Sequence, residues 1–255
     1  MDSDKLAQVA QRLHAAHSVV ILTGAGVSKE SGIPTYRDAQ DGEWSKIDSR
    51  QVATVEGYRA NPQLAWRWSE SRRDAMQKAR PNAGHFAIAE LENLLPNVTI
   101  LTQNIDGLHQ ASGSKNVIEL HGSIHRHKCF ENCQGNPTPI HLADLPTNEN
   151  QEPPVCPHCG AWVRPDVVWF NEILPDEPFV RARSLVDTCD VLMSVGTSGV
   201  VMPAASFPYR AKRWNDAYVI DVNPAVEEIT LYADLHIAAP SGEALPEIVR
   251  ALQSA

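Results

Sequence analysis

The sequence predicts an α/β fold built on a doubly wound parallel, Rossmann-like sheet, and three observations carry that expectation. Short, mainly apolar runs recur along the chain. Segments long enough for helices separate most of them, and a glycine-bearing turn follows the first run directly. Strands buried on both faces read as near-continuous apolar runs, and their alternation with helices implies parallel crossovers.

Taken in order, Leu6, Val9, Ala10 and Leu13 repeat at helical spacing behind a cap expected at Ser3 or Asp4. Val19-Val20-Ile21-Leu22 is the first expected strand, ending at Thr23-Gly24-Ala25-Gly26. Further strands are expected at 98–101, 117–120, 167–170, 191–195 and 218–220, with helices at 84–95, 179–187 and 243–252. Two stretches depart from this rhythm. Residues 37–81 hold no convincing strand, and Trp44, Trp66 and Trp68 sit among charged residues, so a helical insertion is expected. Residues 123–164 are rich in Pro, Asn, His and Cys with almost no apolar period. A structureless loop of that length is unusual in a compact domain, so something other than an apolar core must hold it. The expected organisation is one domain over 1–255. Its large lobe comes from about 1–36, 82–122 and 165–255, with a helical insertion at 37–81 and a smaller module at 123–164.

Composition excludes several classes. With 43% hydrophobic and 21% charged residues and no long block of like charge, global disorder does not fit. No apolar run approaches the roughly 18–20 residues of a membrane span. The start, Met1-Asp2-Ser3-Asp4-Lys5, is polar and acidic, unlike an export signal. A soluble, cytoplasmic chain is therefore expected. The 22 basic and 31 acidic residues give a formal charge of −9, which argues against nucleic acid held over the whole surface.

Four of the five cysteines, Cys129, Cys133, Cys156 and Cys159, form two short pairs separated by 22 residues. Zinc takes four soft donors in a tetrahedron, and two such loops supply two each. Cys156-Pro157-His158-Cys159-Gly160 has the form of a knuckle, while three residues intervene between Cys129 and Cys133. The expected reading is one structural zinc on all four thiolates, filling the role of a core in the 123–164 module. A mixed site using His127 or His158, or free thiols, are the alternatives. Cys189 stands apart as a small buried residue.

The turn Gly24-Ala25-Gly26 could bring backbone amides to a phosphate at the start of the next helix. The dinucleotide fingerprint is incomplete, however, because Lys29 occupies the third glycine position. Alone, the turn is as readily a plain strand-to-helix connection. Its company narrows the choice. The run from Gly24 through Ser28, Gly32-Ile33-Pro34 and Tyr36-Arg37-Asp38 resembles the signature of the sirtuins, the NAD-dependent protein deacylases. Thr102-Gln103-Asn104-Ile105-Asp106-Gly107-Leu108-His109, Leu120-His121-Gly122, Gly196-Thr197-Ser198 and Asp221-Val222-Asn223 resemble it too, in the family's order. The cysteine pairs lie between the His-Gly and Gly-Thr-Ser motifs, as they do in that family.

The resemblance implies NAD as co-substrate, acylated lysine side chains on proteins as partners, and His121 as the general base. An unperturbed imidazole near 6.5 suits that task at neutral pH. It implies NAD contacts from Gly24, Ala25, Gly26, Ser28, Tyr36, Arg37, Gln103, Asn104, Asp106, Gly196, Thr197, Ser198, Asn223 and, loosely, Ser241. Tyr36 stands where Phe is usual, which keeps an aromatic face.

On the substrate side, Val167-Val168-Trp169-Phe170-Asn171-Glu172 resembles the segment that pairs with an extended peptide, a mode that reads backbone more than side chains. Val168 and Phe170 would line the acyl-lysine tunnel, though an ordinary buried strand explains Val168 equally well. Arg72 matches the arginine with which one subgroup reads acidic acyl groups, but Ser69 replaces its tyrosine. Deacetylation with weak desuccinylation, releasing nicotinamide and O-acyl-ADP-ribose, is the expected activity. ADP-ribose transfer or NAD hydrolysis on the same fold, a zinc-stapled ADP-ribose binding module and a zinc-ribbon nucleic-acid binder are the rivals. His121 and Asn104 weigh against the module, and Asp144, Glu149 and Glu152 weigh against the ribbon. Oligomeric state is open.

Overall fold

A computed structural model describes residues 2–35, 48–145 and 152–254. Six parallel strands form the main sheet: β1 (Val19–Thr23), β2 (Val98–Thr102), β3 (Val117–Glu119), β7 (Val191–Val195), β8 (Tyr218–Val222) and β9 (Leu235–Ile237). Their spatial order is β3-β2-β1-β7-β8-β9, and every pairing is parallel. Order therefore reverses between β1 and β7, the switch point of a doubly wound sheet, where ligands gather beyond the carboxyl ends of the strands.

Each strand divides its side chains between two cores. Val19, Ile21, Ile100, Met193 and Ile220 face α1 (Ser3–Ala15), α5 (Ala83–Leu94) and α9 (Ser241–Ser254). Val20, Leu22, Leu101, Leu192 and Val219 face α7 (Asp176–Val186) and α8 (Phe207–Asn215). This is why the strands read as mainly apolar runs without a polar face. The first helix is capped one residue earlier than expected, by Asp2, whose carboxylate accepts from the Asp4 and Lys5 amides. Strand β9 and helix α8 escaped the periodicity reading, because β9 has only three residues, one of them His236.

A second, three-stranded antiparallel sheet has the order β5-β4-β6, from β4 (Gly122–Cys129), β5 (Pro139–Ile140) and β6 (Val163–Val167). The strand expected at 167–170 thus needs correction. It ends at Val167, pairs with β4 and lies outside the parallel sheet. Val168 to Phe170 turn away from it because their amides find partners elsewhere, on His121, Glu172 and Ala53. Helices α2 (Ser49–Val52), α3 (Val55–Ala60) and α4 (Pro62–Lys78) share a core with this sheet through Tyr58, Ala65, Met76, Ile124, Val167 and Trp169. Cys189 is fully buried in the α7–β7 connection, and burial pushes its thiol up to about 12.

Candidate active site and metal centre

The glycine turn is built from close packing. A Cβ on Gly24 would stand 2.7 Å from the Thr197 Cβ. The amides of Gly24 and Gly26 donate to the Val195 and Gly196 carbonyls. These two amides are therefore not the phosphate donors suggested by the sequence; they seal the β1 turn to the β7 turn. The chain continues as a 3₁₀ helix, Ala25–Ser31, whose Glu30 carboxylate accepts from the Ser241 hydroxyl and the Gly242 amide at the start of α9.

Polar side chains converge beyond the ends of β1, β2 and β7. Asn104 Nδ2 donates to the Gly24 carbonyl at 3.0 Å and lies 3.1 Å from Ser28 Oγ. Ser28 Oγ donates to Asp106 at 2.7 Å, and the other Asp106 oxygen accepts from the Leu108 amide at the start of α6 (Leu108–Ala111). Gln103 Nε2 donates to Thr197 Oγ1, and Asn223 Nδ2 to the Thr197 carbonyl. Gln103, Asn104, Asp106, Ser28, Thr197 and Asn223 thus form one network around the switch point. Ser198 is half-buried on the same Gly196 turn, and Ala25 is exposed on the opposing one. Ser241 is buried one layer back against Glu30. Tyr36 and Arg37 lie outside the described residues.

Behind the network lie two buried histidines, His109, which closes the Thr102–His109 motif, and His85, which stands in none of the motifs. His109 Nε2 lies 3.0 Å from Thr23 Oγ1, which donates to Thr102 Oγ1, which accepts from the Asn104 amide. His85 completes a reciprocal cap with Asn82 at the start of α5, and its ring centroid lies 5.0 Å from that of His109. Burial drives His109 down to about 3 and lowers His85, so both rings are neutral at pH 7. The Asn82-x-x-His85 spacing, a helix cap, is the sequence signal for the second of them.

His121 follows β3, half-buried, with Nδ1 2.9 Å from the Gln103 carbonyl oxygen. A carbonyl can only accept, so Nδ1 carries the proton and Nε2 is the free base. Burial lowers the imidazole from its ordinary value, against a smaller opposing effect of that hydrogen bond. Gly122 (φ 74°) turns the chain so closely past Asp166 that a Cβ would meet its carbonyl oxygen at 2.1 Å.

Val168 comes beside this histidine: its amide donates to the His121 carbonyl at 2.9 Å. Phe170 is 46% exposed, and its amide donates to Ala53. On α4, Ser69 is 1% exposed, and its hydroxyl donates to the Ala65 carbonyl of its own helix. Its hydroxyl proton is therefore taken up by its own helix. Arg72 is half-buried with its guanidinium 4.8 Å over the Trp68 ring.

The four sulfurs of Cys129, Cys133, Cys156 and Cys159 lie within 4.8 Å of one another. Cys129–Cys159 and Cys133–Cys156 are separated by 3.6 and 3.8 Å. A tetrahedron with Zn–S bonds of about 2.3 Å has edges of about 3.8 Å, so the cradle matches zinc in donor type and size. Among the described residues, neither His127 nor His158 joins this group of four donors.

A doubly wound sheet with polar groups collected at its switch point defines the class of nucleotide-binding α/β proteins. The chain belongs to the Sir2 family, whose model matches residues 24–203. It is 46% identical over 231 residues to an NAD-dependent protein deacylase of Aquifex aeolicus, covering 91% of this chain and 93% of that one. A crystal structure of a Sir2 homologue–NAD complex superposes with a TM-score of 0.87 at 37% identity, covering 100% of this chain and 94% of the other. A Sir2 protein bound to a myristoylated histone peptide superposes with a TM-score of 0.76 at 34% identity, covering 99% and 98%. Among the described residues no helix is long and apolar enough to cross a membrane.

Proposed function

We infer that the chain is an NAD-dependent protein-lysine deacylase with His121 as its general base. The observation that carries this is the His121–Gln103 contact, which leaves Nε2 as an acceptor beside the switch-point network. NAD, when bound, supplies the ribose to which the acyl group is transferred, yielding nicotinamide and O-acyl-ADP-ribose.

The chain's own residues do the rest. Asn104, with its amide fixed by Thr102 and its side chain by Gly24, offers a carboxamide oxygen to the nicotinamide ribose region. Ser198 and Asn223, at the ends of β7 and β8, lie on the adenosine side. Tyr36 and Arg37 would complete the nicotinamide and phosphate contacts. Asp106, already bonded to Ser28 and Leu108, acts chiefly by holding the network together. Nε2 of His121 takes a ribose hydroxyl proton, and a neutral imidazole is the form that can. The acylated lysine enters past Val168 and Phe170. The four cysteines would hold a structural zinc that fixes the three-stranded sheet; it has no open position for chemistry. The full 1–255 chain works as one catalytic unit, with the helical segment and the zinc-bearing sheet forming the substrate side. Its setting is the cytoplasm.

The test is mass spectrometry of an acetylated peptide incubated with and without NAD. Nicotinamide release matched by O-acetyl-ADP-ribose is the expected result. Nicotinamide release with the acetyl group still on lysine would instead indicate ADP-ribose transfer or NAD hydrolysis.

A further inference from the structure

We propose that Arg164 and Glu172 are positioning residues for the acylated peptide, their buried ion pair holding the 168–172 turn against His121 in its receptive shape. This rests on the deacylase reading and adds a determinant of peptide recognition that touches neither substrate nor NAD.

The turn is held from within. Val168 donates to the His121 carbonyl at 2.9 Å and Phe170 to the Ala53 carbonyl at 3.0 Å. Trp169 donates to a Glu172 carboxylate oxygen at 2.8 Å, and the Glu172 amide donates back to the Trp169 carbonyl at 3.1 Å. Between them Asn171 adopts a left-handed conformation (φ 68°). The backbone is thus wrapped around one carboxylate.

Arg164 grips that carboxylate. Its side chain is 2% exposed, and Nη1 and Nη2 reach the two Glu172 oxygens at 2.6 and 2.8 Å. Nη2 also donates to the Val167 carbonyl at 2.8 Å, where β6 ends. The guanidinium carbon lies 3.3 Å from the centre of the Trp169 ring. One side chain therefore fixes the last strand residue, the indole and the carboxylate around which the turn is wound. Burial opposes charge on Glu172, but the Arg164 hydrogen bonds and charge outweigh it and hold the carboxyl below its ordinary range.

Stability alone is a poor reason for this arrangement. A buried ion pair is often no better than apolar residues of the same volume. Arg164 also leaves its buried Nε without an acceptor among the described residues. What the pair delivers is geometry: a planar fork admits one carboxylate orientation and hence one course for the turn. That turn carries Val168 and Phe170 and is bonded to the His121 backbone. A shift in it displaces the peptide from Nε2 while leaving the Asn104 and Thr197 network untouched.

Steady-state kinetics on the full-length, zinc-loaded enzyme separate the two effects. Glu172→Gln should raise KM for an acetyl-lysine peptide about ten- to a hundredfold while KM for NAD stays within about twofold. Glu172→Asp, which keeps the charge but withdraws it by one methylene, should give a smaller rise in the same direction. Arg164→Lys, which loses the fork, should behave like Glu172→Gln. Equal changes in both KM values, or an unchanged peptide KM, would overturn the proposal. If Glu172→Gln does not fold, Glu172→Asp decides by the same criterion. A wild-type enzyme showing no peptide-dependent nicotinamide release would instead remove the deacylase reading, so the two failures are distinguishable.

Discussion

Gly26 and Gly196 meet backbone to backbone: the Gly26 amide donates to the Gly196 carbonyl at 2.8 Å, and a Cβ on Gly26 would stand 2.6 Å from that same oxygen. The contact locks the β1 turn to the β7 turn at the point where the sheet reverses order. Gly26→Ala should therefore force the turns apart, weaken NAD binding severely and cost about 1–3 kcal/mol of stability. Gly32→Ala is the control. Gly32 has φ 82° and nothing within 4 Å of where a methyl would stand, so only backbone strain of about 1–2 kcal/mol is expected and NAD binding should persist. Calorimetric titration with NAD checks both; equal loss in the two variants would remove the role of the contact.

Deacylation should depend on one deprotonated imidazole. Burial holds His121 below the ordinary 6.5, so the base form persists through neutrality and is lost as pH falls through the lowered value. The acidic limb of kcat/KM for the acyl peptide should accordingly lie below pH 6.5. His121→Ala should reduce turnover about 10²–10⁴-fold with NAD binding still measurable. A variant keeping a tenth of the activity, roughly, would rule out the role.

Acid should destabilise the fold through His109. Its folded value of about 3 lies far below the unfolded 6.5, so between these values only the unfolded chain takes the proton. Stability conferred by this neutral, buried ring is complete above pH 6.5 and falls as pH drops, by about 2 kcal/mol between pH 7 and 5 for this group alone. Urea midpoints of wild type and His109→Gln at the two pH values test it. The variant should lose less on acidification, and equal losses would refute the assignment.

The cysteine cradle should contain about one zinc per chain, because metal affinity there is folding energy. Cys156→Ser should lose the metal and unfold the three-stranded sheet. A folded, active, metal-free protein would contradict this.

Acyl preference should favour acetyl over succinyl. Ser69 gives its hydroxyl proton to its own helix, so only Arg72 remains to meet a distal carboxylate. A missing hydrogen bond to a charged group is worth roughly 1.5–3 kcal/mol, enough to make desuccinylation weak. Arg72→Gln should abolish that residual activity and leave deacetylation within a few-fold. Comparing kcat/KM on acetyl and succinyl versions of one peptide decides it, and succinyl as the better substrate of the unaltered enzyme would reverse the reading.

By itself the sequence determined whatever depends on local period and on chemistry carried by residue type. Strands β1, β2, β3, β7 and β8 were legible because each sends side chains into the cores on both faces of the sheet and is therefore mainly apolar, with only single polar residues such as Thr99, Glu119 and Ser194 among them. The cysteine cradle was legible because thiolate pairs have few other uses. Tertiary structure decided whatever depends on which segments meet. It ended the strand expected at 167–170 at Val167, since the next amides are claimed by His121, Glu172 and Ala53. It gave the glycines Gly24 and Gly26 a packing duty against the β7 turn, and it fixed the proton of His121 on Nδ1. It also buried Arg164, His85 and His109 and joined Arg164 to Glu172, contacts that neither residue type nor motif position displayed. Contacts between positions far apart in the chain leave no period in it, so their consequences become visible only once the fold has closed around them.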